Sequence, residues 1–140
     1  MSETRTGGCL CGAITYRVTG PMRPVIACHC QQCRKTSGHH VAATAAPHDA
    51  IAVSGEPVWF VSSDSARRGF CGVCGSNLFW ESSDSVTLSI FAGTLDDAGG
   101  LSIAGHIFTD DKGAYYEIAD GKPCAGGYDP ALTTQVSKYD

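Results

Sequence analysis

The cysteines restrict what this chain can fold into more than any other feature. Eight of the 140 residues are cysteine, and all but Cys124 fall in tight groups: "CLC" at Cys9 and Cys11, "CHCQQC" at Cys28, Cys30 and Cys33, and "CGVC" at Cys71 and Cys74. Thiols this close together, with no apolar leader segment ahead of them, suit metal ligation in a reducing cytoplasm better than a secreted disulfide scaffold. In a metal knuckle the chain reverses tightly so that two thiolates converge while backbone amides point at the sulfurs. Glycine tolerates the backbone this needs, and Gly12, Gly72 and Gly75 stand where that relief is useful. Two knuckles supply four thiolates, so Cys9 and Cys11 with Cys71 and Cys74 are expected to close one tetrahedral structural site, stitching the N-terminal strand to a hairpin around residue 72. Four soft sulfurs favour zinc over magnesium or calcium; ligand type alone also admits an iron–sulfur cluster.

Cys28, Cys30 and Cys33 are then left over, and three protein ligands with a vacant position are what a catalytic zinc site keeps for water or substrate. A fourth protein ligand from His29, His39, His40 or Cys124 would close the site and make it inert.

The remaining sequence indicates a turn-rich, mainly β domain. Apolar and polar residues alternate at 14–18 and 86–90, and strand-like runs recur at 25–28, 58–61, 77–80, 106–108 and 115–118, separated by Gly, Pro, Asp and Ser. Only Gln31 to Ser37 has the makings of a short helix, and "ADGKPCAGGYDP" is expected to be loop-rich. At 14.6 kDa, with no linker or low-complexity tract, residues 1–140 are read as one domain. The net charge of −4 and the lack of a Lys/Arg run argue against nucleic acid or an anionic membrane as the main partner. No stretch is apolar for long enough to span a bilayer, so the chain is expected to be soluble, unprocessed and cytoplasmic.

The segments "GGCLCGAITY", "CHCQQCRKTSG", "GFCGVCGSNLFW", "AGTLDD" and "HIFTDDKGAYYEIADGKP" together resemble the glutathione-dependent formaldehyde-activating enzyme (GFA) family, which includes centromere protein V relatives. The likeness runs over roughly residues 7 to 123, and three cysteine motifs in the right order make it specific. It implies a β-tent fold of stacked antiparallel sheets, one structural zinc on Cys9, Cys11, Cys71 and Cys74, and a second, catalytic zinc on Cys28, Cys30 and Cys33. The activity it implies is the joining of glutathione to formaldehyde as S-hydroxymethylglutathione, a carbon–sulfur lyase reaction in reverse. The expected partner is glutathione or another small thiol or its adduct, and assembly as a homodimer is left open. The "YYE" stretch departs from the tryptophan-bearing form of many relatives.

A zinc held by three thiolates is a mediocre hydroxide generator but well matched to a soft sulfur, so thiol activation is the expected chemistry. Addition to formaldehyde creates an alkoxide that needs a proton donor or a positive charge, and Arg34, Lys35, His39 and His40 are nearest in sequence. Arg34, Lys35, Arg67 and Arg68 could receive the carboxylates of glutathione. Trp59, Trp80, Tyr115 and Tyr116 could supply an apolar wall. Two other classes stay in view: a non-catalytic zinc-stabilised binding module, and a methionine sulfoxide reductase of similar fold, for which only Cys124 would remain as the redox thiol.

Overall fold

The computed structural model of the chain describes residues 3–133; Met1, Ser2 and residues 134–140 of the expected domain lie outside them. Two sheets dominate. The smaller joins β1 (Thr4–Gly8), β2 (Thr15–Thr19) and β5 (Ile51–Ser54) in the order β1-β2-β5, with antiparallel pairing throughout. The larger contains β3 (Val25–Cys28), β4 (Val41–Pro47), β6 (Val58–Ser63), β7 (Ala66–Phe70), β8 (Asn77–Ser82), β9 (Thr87–Phe91) and β10 (Ile103–Ile107). Its order is β10-β3-β4-β9-β8-β7-β6. Helix is confined, apart from single 3-10 turns, to α1 (Gln31–Ser37) and α2 (Pro130–Thr133).

Side chains alternate across a strand, so each face of the large sheet has its own composition. Thr44, Ala46, Phe79, Leu88 and Ile90 share the face on which the small sheet lies, and there they bury Ile14, Tyr16 and Val18. Tyr16 meets Phe79 edge to face at 5.6 Å, a favoured aromatic geometry. Within the small sheet the Tyr16 ring lies over its cross-strand partner Gly7, where a Cβ would collide with it. On the opposite face, Ile26, Cys28, Val41, Ala43 and Phe91 look out over a cleft.

The mainly β expectation holds, and so do helix α1 and strand β3, each at the bounds read from sequence. Three details differ. The stacked sheets are not wholly antiparallel, because β10 runs parallel to β3 at the edge. The run 115–118 is not a strand: the Lys112 ammonium donates to the carbonyls of Gly113 and Tyr116, and the two tyrosine rings turn toward histidines. The run 106–108 belongs to a strand that begins earlier, and Phe108 ends it in the left-handed region at φ 54°. No helix among the described residues is long and apolar enough to cross a membrane.

Candidate functional site

The loop after β1 and the turn between β7 and β8 bring Cys9, Cys11, Cys71 and Cys74 together, with all four sulfurs within 4.8 Å of one another. Gly12 (φ +82°) and Gly75 (φ +80°) supply the left-handed corners that the knuckles need, in line with their expected role. Gly72 is different: it is small because a Cβ would press on Val58 at 2.9 Å, and its φ is not positive. The Ile14 amide donates to the Cys9 sulfur at 3.3 Å, and the amides of Val73 and Cys74 donate to Cys71 at 3.4 and 3.5 Å. The Ser76 hydroxyl, with backbone amides behind it, draws the Cys74 thiol down to about 5. A metal about 2.3 Å from four tetrahedral sulfurs sets them about 3.8 Å apart. The Cys9–Cys11 and Cys11–Cys71 separations are both 3.7 Å, so the cluster is already the size a zinc ion requires.

The second cluster is built where β3 hands over to α1. Cys28 is the last residue of the strand; Cys30 is the N-cap of the helix, its sulfur accepting from the Cys33 amide at 3.3 Å; Cys33 is buried in the first turn. The three sulfurs lie within 4.8 Å of one another, and no fourth His, Cys, Asp or Glu among the described residues joins them. Hydrogen bonding with the Cys28 and Cys33 sulfurs, with help from the Cys33 amide and the Arg68 charge, holds Cys30 far below the ordinary thiol value. The same pairing, with burial added, pushes Cys28 up. Three convergent cysteine sulfurs are a donor set suited to a soft divalent cation. Cys30 and Cys33 approach to 3.1 Å, closer than tetrahedral ligands stand, so loading would part them slightly.

These three cysteines open into a cleft of about 740 Å³. Ile26, Val41, Trp80, Phe91 and Ile107 give it an apolar wall, and Arg23 and Arg68, each 6% exposed, are its buried cations. The four residues expected to serve the alkoxide are not on this wall. Arg34 donates to the Asp111 carbonyl at 3.2 Å, Lys35 is exposed, His39 bonds to the Tyr115 hydroxyl, and His40 packs against His29 with ring centroids 4.6 Å apart. Nor does Arg67 face the cleft; it pairs with Glu81 and lies 4.0 Å over the Trp59 ring. Of the four aromatics, only Trp80 lines the cleft. Cys124 is exposed, bonds to the Lys122 carbonyl and belongs to neither cluster.

Sequence reasoning overlooked what lies behind Cys28 and Cys30. His29 falls between them in a strand-like stretch, so it points to the opposite face of the sheet, where it is 1% exposed. Its Nδ1 meets the Tyr116 hydroxyl at 2.5 Å and its Nε2 meets His106 Nδ1 at 2.9 Å; His106 Nε2 meets Asp120 Oδ2 at 2.8 Å. With neutral rings the carboxylate end fixes every tautomer. His106 donates from Nε2 to Asp120, His29 donates from Nε2 to His106, and Tyr116 donates to His29 Nδ1. The relay therefore pins the residue between two of the three cluster cysteines. Its only trace in the sequence is a histidine enclosed by cysteines, with no pattern linking it to residues 106, 116 and 120.

A crystal structure of a Rhodobacter sphaeroides protein, solved as a structural-genomics target, superimposes with a TM-score of 0.57 at 19% identity, covering 68% of this chain and 91% of that one. At that identity the likeness is one of fold. No curated protein matches the chain. The sequence profile of the glutathione-dependent formaldehyde-activating enzymes matches residues 4–111, a span that contains both cysteine clusters, His29, Arg68 and His106. The chain belongs to the glutathione-dependent formaldehyde-activating enzyme family.

Proposed function

We propose that this protein is a zinc-dependent carbon–sulfur lyase that makes and breaks the adduct of formaldehyde with glutathione or a related small thiol. The observation that carries this reading is the three-sulfur cluster at the wall of an apolar cleft, with no fourth protein ligand among the described residues. Family membership supports a thiol as the partner. Cys9, Cys11, Cys71 and Cys74 would hold one zinc ion as a structural brace, and Cys28, Cys30 and Cys33 would hold a second. Zinc bound to three thiolates would supply the acidity that turns an incoming thiol into a nucleophile at neutral pH. The protein's own part is to leave a coordination position facing the cleft, to line that side with the apolar Val41, Phe91 and Trp80, and to fix the Cys28–Cys30 segment from behind through His29. Cysteines free of disulfides at both sites fit a single domain working in the reducing cytoplasm.

The test is the rate at which formaldehyde and glutathione equilibrate with their adduct, followed by exchange NMR against the spontaneous reaction. Zinc-loaded protein is expected to accelerate it. Cys30→Ser is expected to drop the zinc content from two per chain to one, abolish the acceleration and leave the β circular dichroism intact. No acceleration by the unsubstituted protein would leave a metal-braced binding module in place of an enzyme.

A further inference from the structure

Adding a thiolate to a carbonyl creates an oxygen anion where none stood before, and Arg34, Lys35, His39 and His40, the residues expected to serve it, all lie off the cleft wall. Arg68 does not. In β7 it stands opposite Trp80 on one side and Phe60 on the other, and its side chain reaches the cleft. It is 6% exposed, its Nη2 lies 3.6 Å from the Cys33 sulfur, and its Nε is buried with no partner. No carboxylate pairs with it among the described residues, whereas its neighbour Arg67 takes Glu81. Arg23, equally buried, spends its donors on the carbonyls of Pro24, Ala43 and Thr133. A guanidinium withdrawn from water with no carboxylate beside it among the described residues and with an unused N–H is costly to keep, which marks it as held for a ligand.

We propose that Arg68 is the catalytic cation of the site, the donor that receives the developing alkoxide oxygen of the thiol–formaldehyde adduct. The assignment rests on the lyase reading above. As the carbon–sulfur bond forms, the carbonyl π pair moves onto oxygen. The proton lost by the thiol goes to water, and the alkoxide takes a proton from water to become the hydroxymethyl group. Arg68 stays protonated throughout and stabilises the charge. Position selects this role over carboxylate recognition. The new oxygen is two bonds from the substrate sulfur, within reach of a guanidinium that touches a cluster cysteine, whereas the carboxylates of a peptide thiol are four or more bonds away. The unpaired charge on Arg68 also offsets the excess negative charge of three thiolates around one divalent ion.

Arg68→Met and Arg68→Lys test this. In zinc-loaded protein, Arg68→Met is expected to lower kcat by about 10²–10³-fold while KM for glutathione stays within about threefold, and Arg68→Lys to recover part of the loss. Zinc content should remain at the unsubstituted level in both, which separates the role from a structural one. A binding arm requires no turnover: the unsubstituted protein should bind S-hydroxymethylglutathione at least about tenfold tighter than S-methylglutathione, and Arg68→Met should erase that preference. If the unsubstituted protein proves inactive, the lyase reading falls and this binding arm alone decides Arg68. A Met variant that keeps kcat but loses glutathione affinity, that sheds zinc, or that retains the hydroxymethyl preference overturns the proposal.

Discussion

His29 shows how a single buried side chain ties the site to pH. Burial, and then repulsion between its charged form and those of His40, His106, His39 and Lys112, hold its value down at about 4 against an ordinary 6.5. Burial likewise lowers His40, whose Nδ1 has no partner. A value depressed in the folded state means that folding favours the neutral ring. The stabilisation is therefore complete above the unfolded value and is lost as pH falls from about 6.5 toward about 4, where the unfolded chain takes up the proton first. Thermal unfolding followed across that range should show a midpoint level above about pH 7 and falling below about pH 6. His40→Gln, which removes one of the two groups, should flatten part of the slope, and an unchanged slope would show that these rings do not set it. The same neutral-ring requirement makes the hydrogen bonds of His29 directional, so acidification should disorder the Cys28–Cys30 segment before it reaches the sheets.

At the level of elements, the decisive junction is β3 into α1, where the strand supplies Cys28, the cap supplies Cys30 and the first helical turn supplies Cys33. The relay behind it is completed by β10 through His106 and by the irregular 112–120 segment through Tyr116 and Asp120. Tyr116→Phe leaves His29 Nδ1 buried without its donor, which should cost about 1–3 kcal/mol. It should also speed zinc loss from the three-cysteine site, read by chelator competition, while the four-cysteine site holds. Equal zinc loss from both sites would show that the relay does not serve this junction. Both cysteine clusters were legible in the sequence because ligand spacing is local, as were β3 and α1, whose patterns are short and uninterrupted. β1, β4 and β7 were not legible. "TRTGG", "VAATAAP" and "ARRGF" are rich in Gly, Ala and Arg; β4 and β7 become strands because neighbours on both sides complete their hydrogen bonds, and β1 because it pairs along its length with β2. The aromatic-rich "YYEI" errs the other way: its composition suits a strand, but its rings are drawn to His29, His39 and Lys112 instead. Arg67 and Arg68 were indistinguishable as letters. The alternation of β7 alone turns the second into the cleft and leaves the first beside Glu81.

For the molecule as a whole, the two cysteine clusters differ in how much of the chain a bound metal would close. The four-cysteine cluster joins the β1–β2 loop of the small sheet to the β7–β8 turn of the large one, with Cys11 and Cys71 separated by 60 residues. By chain entropy, cross-linking a loop of that length is worth about 4 kcal/mol, a large part of the ~5–15 kcal/mol that holds an ordinary domain folded. The three-cysteine cluster closes only residues 28 to 33 within one sheet, which the same estimate puts at about 2 kcal/mol, and it faces the open cleft rather than the inter-sheet core. Metal removal should therefore proceed in two stages. In zinc-loaded protein a mild chelator should strip the cleft cluster first, lowering the unfolding midpoint by less than about 8 °C with the β spectrum unchanged. Loss of the inter-sheet site, forced by a stronger chelator or imposed by Cys71→Ser, should lower the midpoint by about 8–16 °C and expose Tyr16 and Phe79 as the sheets separate. Calorimetry with zinc release monitored in parallel distinguishes the two events. A single transition in which both metals leave together would mean that the cleft cluster also braces the fold and is not the open corner that thiol chemistry requires.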